Sequence, residues 1–257
     1  MKDIPNDELI KMVVDLIINS KRIVIFTGAG VSTESGIPDF RSPGGLWDKY
    51  NPDDFLFQKF LESRESRVKY WEMNSELYYT LKKASPNSAH YAIVDLDNMG
   101  KLDCVITQNI DNLHQAAGLS NDKVLELHGT NIFVNCLSCN KRYTREEIQK
   151  RLEQGESAPE CNDCGGILKP ATISFGQSMP IEETMEAERR SRMSDLFFVI
   201  GSSLVVQPAA MMPLYARESG AKLVIINSDK TSFDRSADVV IYGRAGEIMR
   251  KIIDGAK

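Results

Sequence analysis

Apolar residues recur along this chain in two rhythms. Short, mostly apolar runs, rich in β-branched and aromatic residues, alternate with longer stretches in which apolar positions return every three or four residues. The runs at residues 22–26, 102–106, 124–127, 195–200, 222–226 and 238–242 are too short for helices. They also lack the apolar–polar alternation of a half-exposed strand, so they predict strands buried on both faces. Helical periodicity predicts a helix over 7–19, with Asn6 as N-cap and acids in its first turn, and further helices over 53–83 (two segments), 86–99, from 208 onward and over 245–253. Strand–helix alternation of this kind predicts an α/β fold built on a parallel sheet. Between 130 and 170 the rhythm breaks. Short strand-like pieces, Ile132-Phe133-Val134 and Arg142-Tyr143, flank paired cysteines, and Thr144-x-x-Glu147 is a capping box opening a helix to about Glu153. That stretch predicts a second, small domain.

A chain of 257 residues, 42% of them hydrophobic, suits one large core with a smaller annex. The net charge is −5 and no block of Lys or Arg stands out, so no direct nucleic-acid binding is expected. No segment has the apolar length to span a membrane. The apolar run over 12–18 is interrupted by Asp15 and has no cleavage site after it, so it reads as an amphipathic helix and the expected compartment is the cytoplasm. Four of the five cysteines form the pattern C-x2-C-x21-C-x2-C, as Cys136, Cys139, Cys161 and Cys164. Two chelating pairs complete a tetrahedron of thiolates, which describes structural Zn²⁺ with no place for water. The intervening loop is slightly longer than usual, and a redox dithiol or an iron–sulfur site stays open. Cys104 lies within a strand and reads as a small buried hydrophobe.

The candidate chemistry sits at strand ends. Thr107-Gln108-Asn109-Ile110-Asp111 follows one strand, and His128-Gly129 follows the next. Ligands of open α/β sheets collect at the carboxyl ends of strands. The plainer reading is that Asp111 caps the helix over 112–117. Gly28-Ala29-Gly30 directly after the first strand resembles a dinucleotide phosphate loop, although Thr33 stands where a third glycine would complete the pattern. The stretch 36–47 is dense in Gly and Pro yet holds Phe40, Arg41 and Trp47, and it reads as a lid over a ligand with Arg41 aimed at phosphate. The aromatic stripe over 53–83 reads as core. Of three histidines, His90 lies within a helix and His114 reads as helical packing, which leaves His128 for catalysis.

Taken in order, Gly28-Ala29-Gly30-Val31-Ser32, Gly36-Ile37-Pro38-Asp39-Phe40-Arg41, Thr107 to Asp111, His128-Gly129, the four cysteines, Phe175-Gly176 and Gly201-Ser202-Ser203-Leu204 resemble the motifs of sirtuins, NAD-dependent protein-lysine deacylases. The resemblance runs from about residue 20 to 250. It implies a Rossmann-like large domain (1–40, 84–129 and 171–257), a helical insert (41–83) and a zinc ribbon (130–170) that together form the small domain. It implies NAD held by Gly28, Ala29, Gly30, Thr33, Asp39, Phe40, Arg41, Gln108, Asn109, Ile110, Asp111, Gly201, Ser202, Ser203, Asn227, Ser228 and, less directly, Ala245. It implies His128, Asn109 and Asp111 as catalytic residues. Acetyl-lysine peptide would meet His128, Ile173, Phe175, Gly176, Val205 and Val206, partly by strand addition. The implied products are free lysine, nicotinamide and 2′-O-acetyl-ADP-ribose, from a chain expected to act as a monomer. Two departures matter. The family's usual Phe-Gly-Glu reads Phe175-Gly176-Gln177, which removes a charge beside the peptide groove. The Tyr-x-x-Arg pair of desuccinylating relatives is absent, since Tyr70 is followed by Met73 and Trp71 by Asn74. A neutral acyl group, acetyl first, is therefore expected. The rival readings are a mono-ADP-ribosyltransferase using the same NAD site and a non-catalytic NAD-binding or zinc-ribbon interaction protein.

Overall fold

The computed structural model describes residues 5–40 and 43–257. The chain opens with α1 (Asn6–Asn19), capped by Pro5 rather than by Asn6, which is itself the first helical residue. β1 (Ile23–Thr27) comes next and is buried throughout. Four helices succeed it: α2 (Leu46–Lys49), α3 (Phe57–Glu62), α4 (Arg64–Lys83) and α5 (Ser88–Asn98). β2 (Leu102–Thr107), the one-turn α6 (Leu113–Ala116) and β3 (Val124–Glu126) return the chain to the main sheet. β4 (Gly129–Cys136), β5 (Arg142–Thr144), α7 (Arg145–Glu153) and β6 (Leu168–Thr172) then build a separate small sheet. The chain closes with α8 (Ile181–Met193), β7 (Leu196–Ile200), α9 (Met212–Glu218), β8 (Lys222–Asn227), β9 (Val239–Tyr242) and α10 (Ala245–Ala256).

The main sheet is parallel in every pairing, with order β3-β2-β1-β7-β8-β9. Counted within the sheet this is 3-2-1-4-5-6, the order of dinucleotide-binding sheets, whose ligand crevice lies where the order reverses. Here the reversal falls between β1 and β7. Alternate side chains explain why the strands read as continuous apolar runs. Ile23 and Ile25 of β1 join a core cluster that takes in Val13, Ile17, Ile93 and Met249 from the helices, while Val24 and Phe26 join one that takes in Ala187 and Met212. Helices thus cover both faces, and the buried polar side chains Thr27 and Thr107, at the carboxyl ends of β1 and β2, are bonded to each other.

The small sheet is antiparallel, with order β5-β4-β6. Trp71 of α4 is buried among Val134, Cys136, Tyr143, Ile148 and Leu168 of the cysteine-bearing segment. The long helix α4 therefore shares a core with the small sheet. The Thr144 capping box is present, with Thr144 Oγ1 accepting from Glu147 N–H and Glu147 Oε2 accepting from Thr144 N–H.

His90 on α5 and His114 on α6 face one another inside the main core, ring centroids 5.0 Å apart. His90 Nδ1 accepts from Asn87 N–H at 3.2 Å, and His114 Nε2 lies 3.0 Å from Thr27 Oγ1. Burial pushes His90 down to about 4, and burial together with the neighbouring His90 pushes His114 down to about 3. Both folded values lie below the ordinary histidine value, so the unfolded chain takes up protons first as pH falls. The stabilisation from keeping both rings neutral is complete above about pH 6.5 and is lost as pH drops toward 4. Urea unfolding at pH 4.5 is expected to give a free energy lower than at pH 7 by roughly 2 kcal/mol per histidine. The drop should shrink in His114→Asn; an equal drop in that variant would contradict the assignment.

Candidate active site

The carboxyl ends of β1, β2, β3 and β7 meet on one side of the main sheet. Gly28 and Gly30 follow β1 and pack on Gly201, which follows β7. A Cβ on Gly30 would lie 2.7 Å from Gly201 Cα, and Gly30 N–H donates to Gly201 O at 2.9 Å. The G-x-G spacing is thus required by loop-on-loop packing at the reversal point, where Gly28 N–H also donates to Ile200 O at 3.1 Å.

Beyond β2, the polar residues are tied to these loops. Gln108 Nε2 donates to Ser202 Oγ at 2.7 Å. Asn109 is buried; its Nδ2 donates to Gly28 O at 3.2 Å and Ser32 Oγ at 3.1 Å, and its backbone N–H donates to Thr107 Oγ1 at 3.0 Å. Ser32 Oγ in turn donates to Asp111 Oδ2 at 2.7 Å. Asp111 Oδ1 accepts from Leu113 N–H at 3.0 Å, so the capping reading of Asp111 holds as well, helped by Asn112 in the left-handed region at φ 62°. Burial raises the Asp111 carboxyl, while the bonds from Leu113 and Ser32 pull it back in part. One carboxylate serves the α6 turn and the crevice together.

His128 arrives from β3. Its Nδ1 lies 3.1 Å from Gln108 O. A carbonyl can only accept, so in the neutral ring Nδ1 carries the proton and Nε2 presents a lone pair. Burial lowers the ring's proton affinity, opposed by the bond to Gln108. Gly129 sets the path of β4: its φ is +69°, and a Cβ there would lie 2.0 Å from Ala171 O. No other residue lets β4 start so close to β6. In consequence Ile173 N–H reaches His128 O at 2.8 Å.

These groups line one cavity of about 910 Å³, ample for a dinucleotide and part of a second ligand. Of the residues singled out from sequence, Gly28, Ala29, Gly30, Thr33, Asp39, Phe40, Gln108 to Asp111, His128, Ile173, Phe175, Gly176, Gly201 to Ser203, Val206, Asn227 and Ser228 all line it. Arg41 lies outside the described residues. Val205 is 57% exposed and is not part of the wall. Ala245 is buried in the main core with Ile248 and Met249 rather than at the cavity; the α10 start touches the loop region instead through Gly246 N–H, which donates to Glu34 Oε2 at 2.6 Å. Sequence reasoning missed Ser32, whose hydroxyl joins Asn109 to Asp111. The aromatic stripe reads as core, while Tyr70 and Met73 stand at the positions of the acyl-recognising pair of relatives. Tyr70, Met73, Asn74 and Leu77 recur at helical spacing along the cavity wall, while Trp71 faces the small sheet. Gln177 Oε1 accepts from Ser174 N–H at 3.2 Å, so it braces the turn beside Phe175.

The four paired cysteines converge away from this cavity. Their sulfur atoms lie within 4.8 Å of one another, with Cys136–Cys164 at 3.5 Å and Cys139–Cys161 at 3.7 Å. Tetrahedral Zn–S bonds of about 2.3 Å place sulfurs about 3.8 Å apart, so the donor set fits a structural zinc. Cys136 Sγ accepts from the amides of Ser138 and Cys139, and Tyr143 Oη lies 3.2 Å from Cys161 Sγ. Such outer contacts orient thiolate ligands.

The sequence model of the Sir2 family matches residues 28–208. The NAD-dependent protein deacetylase of Thermodesulfovibrio yellowstonii is 45% identical over 255 residues, which cover 99% of this chain and 98% of that one. The NAD-dependent protein deacylase 2 of Archaeoglobus fulgidus is 42% identical over 252 residues, covering 98% and 97%. Among solved structures, a complex of Sir2 with p53 peptide and NAD+ superposes with TM-score 0.88 at 38% identity, covering 95% of this chain and 97% of that one. Sir2 bound to acetylated peptide superposes with TM-score 0.87 at 37% identity, covering 96% and 99%. The strand order, the crevice that holds Asn109, Asp111 and His128, the cysteine tetrad and these likenesses agree: the chain belongs to the Sir2 family.

Proposed function

We propose that this chain is an NAD-dependent protein-lysine deacetylase, which turns acetyl-lysine and NAD into lysine, nicotinamide and 2′-O-acetyl-ADP-ribose. The observation that carries the reading is the placement of His128: a neutral imidazole anchored through Nδ1 beside Asn109, in the cavity walled by the glycine loops. Gly28 to Gly30 and Thr33 would hold the phosphates. Gln108 and Asn109 would hold the nicotinamide-side ribose, Ile110 and Asp111 the carboxamide, and Gly201 to Ser203, Asn227 and Ser228 the adenosine half. Bound NAD supplies a glycosidic bond whose breakage leaves the sugar electron-poor and open to the weakly nucleophilic acetyl oxygen.

This chain's residues do the rest. Asn109 and Ser32, already bonded to each other, fix the floor under the sugar. Asp111 accepts from an amide N–H₂ and so holds the leaving group. Phe40 and Trp47, whose ring centroids are 5.4 Å apart on the cavity wall, exclude water while the sugar is reactive. Histidine at 128 takes a proton from a ribose hydroxyl through Nε2. Ile173 and Phe175 form the acyl-lysine wall, and Gly176 and Val206 the edges that pair with the peptide backbone.

Residues 1–40, 84–129 and 171–257 are best taken as one domain, with 41–83 and 130–170 as the two parts of the other; β6 crosses the boundary at 170. A monomer suffices, because one chain supplies the whole cavity. The thiolate tetrad suits a reducing compartment, the cytoplasm. A neutral acyl preference follows from the α4 wall, where Tyr70, Met73 and Asn74 supply no cation. Incubation with acetylated peptide and NAD is expected to release nicotinamide and an acetyl-ADP-ribose by mass spectrometry, several-fold faster than with a succinylated peptide. Label transferred from NAD to protein, without deacetylation, would instead establish the ADP-ribosyltransferase reading.

A further inference from the structure

Lys169 on β6 is a lysine where none is expected. It is 1% exposed, and no carboxylate pairs with it among the described residues. A buried ammonium ordinarily requires an anionic partner. Here three neutral groups serve. Nζ donates to Thr172 O at 2.5 Å, and it lies 5.6 Å from the Tyr70 ring centroid and 5.9 Å from that of Phe57. Aromatic faces stabilise a desolvated cation. Its charge is felt nearby: burial would raise the Tyr70 phenol, but Lys169 and the hydroxyl of Thr172 bring it below its ordinary value.

The carbonyl that receives this proton is the other end of a peptide group already in use. Thr172 C=O and Ile173 N–H belong to one planar unit, and that N–H donates to His128 O. Charge on the oxygen side polarises the unit and makes its N–H a stronger donor. Tyr70 Oη lies 3.2 Å from Thr172 Oγ1, and Phe57 N–H donates to Phe175 O at 2.9 Å, so the same aromatic cage also grips the segment on either side. We propose that Lys169 is a positioning residue: through the Thr172–Ile173 peptide its ammonium sets the backbone of His128 and the wall formed by Ile173 and Phe175. The proposal rests on the deacetylase reading for its kinetic consequence but not for its structural one.

Amide hydrogen exchange on the whole protein reads the structural part without turnover. In Lys169→Met, which keeps the stem and removes the charge, the Ile173 amide is expected to exchange about tenfold faster or more. The Leu137 amide just past β4, which donates to Ile167 O, and the Gln108 amide just past β2, which donates to Thr27 O, should keep their protection. In turnover, KM for acetylated peptide should rise about tenfold while KM for NAD stays within about twofold, and Lys169→Arg should recover most of the loss. Unchanged protection at Ile173, or a uniform loss at all three amides, overturns the proposal. Should Lys169→Met not fold, Lys169→Arg decides: Ile173 protection within about threefold of the parent supports it, and a larger loss overturns it. A parent protein silent toward acetylated peptide and NAD would sink the deacetylase reading alone and leave the exchange result standing.

Discussion

His128→Ala is expected to deacetylate peptide about 10²–10⁴-fold more slowly than the parent, the range for loss of a positioned general base. NAD binding, followed by calorimetry, should change little, because the ring's one hydrogen bond goes to Gln108 O and the dinucleotide loops are fixed by Gly30, Gly201 and Ser202. The pH profile carries a further signature. The base must be neutral, and burial lowers its proton affinity. Activity should therefore hold steady as pH falls to the ordinary histidine value near 6.5 and decline only below it. Loss of NAD affinity in parallel with rate would assign His128 to binding instead.

The second large effect concerns the cysteine tetrad. Metal removal by a strong chelator, or Cys161→Ser, is expected to unfold the small sheet, since a structural zinc contributes on the order of 10 kcal/mol to so thin a core. Trp71 provides the readout. It is 1% exposed and packs on Val134, Ile148 and Leu168, so its fluorescence should shift to the red when that core opens. The main sheet shares no such dependence, and its NAD loops should outlast the small sheet. Peptide affinity should fall first, because β6 leads directly into Ile173 and Phe175. An unchanged Trp71 spectrum after verified metal loss would contradict a structural role.

Much of the fold and site was legible because each signal had one cheap physical cause. Strands buried on both faces are dominated by apolar residues, so β1, β2, β7 and β8 stood out, with bounds off by a residue. Paired thiols at chelating distance have few other uses. The strand-end polar cluster was legible because polar residues at that place demand a partner. What escaped depended on contacts distant in sequence. Ala245 matched a motif position yet its methyl is taken up by the main core, and nothing local distinguishes the two fates. The α4 stripe has a helical period that core and cavity wall share, so periodicity alone could not separate Trp71 from Tyr70. Ser32 Oγ gained its place only when β2 brought Asn109 and Asp111 beside it. Nothing in the sequence singled out Lys169, because its cage comes from Tyr70 and Phe57, far earlier in the chain.

The two sheets are joined by strands that lie side by side. β4 leaves the main sheet at Gly129 and β6 returns to it at Thr172, and these residues are cross-strand partners. His128 and Ile173 flank this pair and are bonded to each other. A change in the cysteine-bearing sheet therefore reaches the imidazole and the cavity wall through the same two-strand seam.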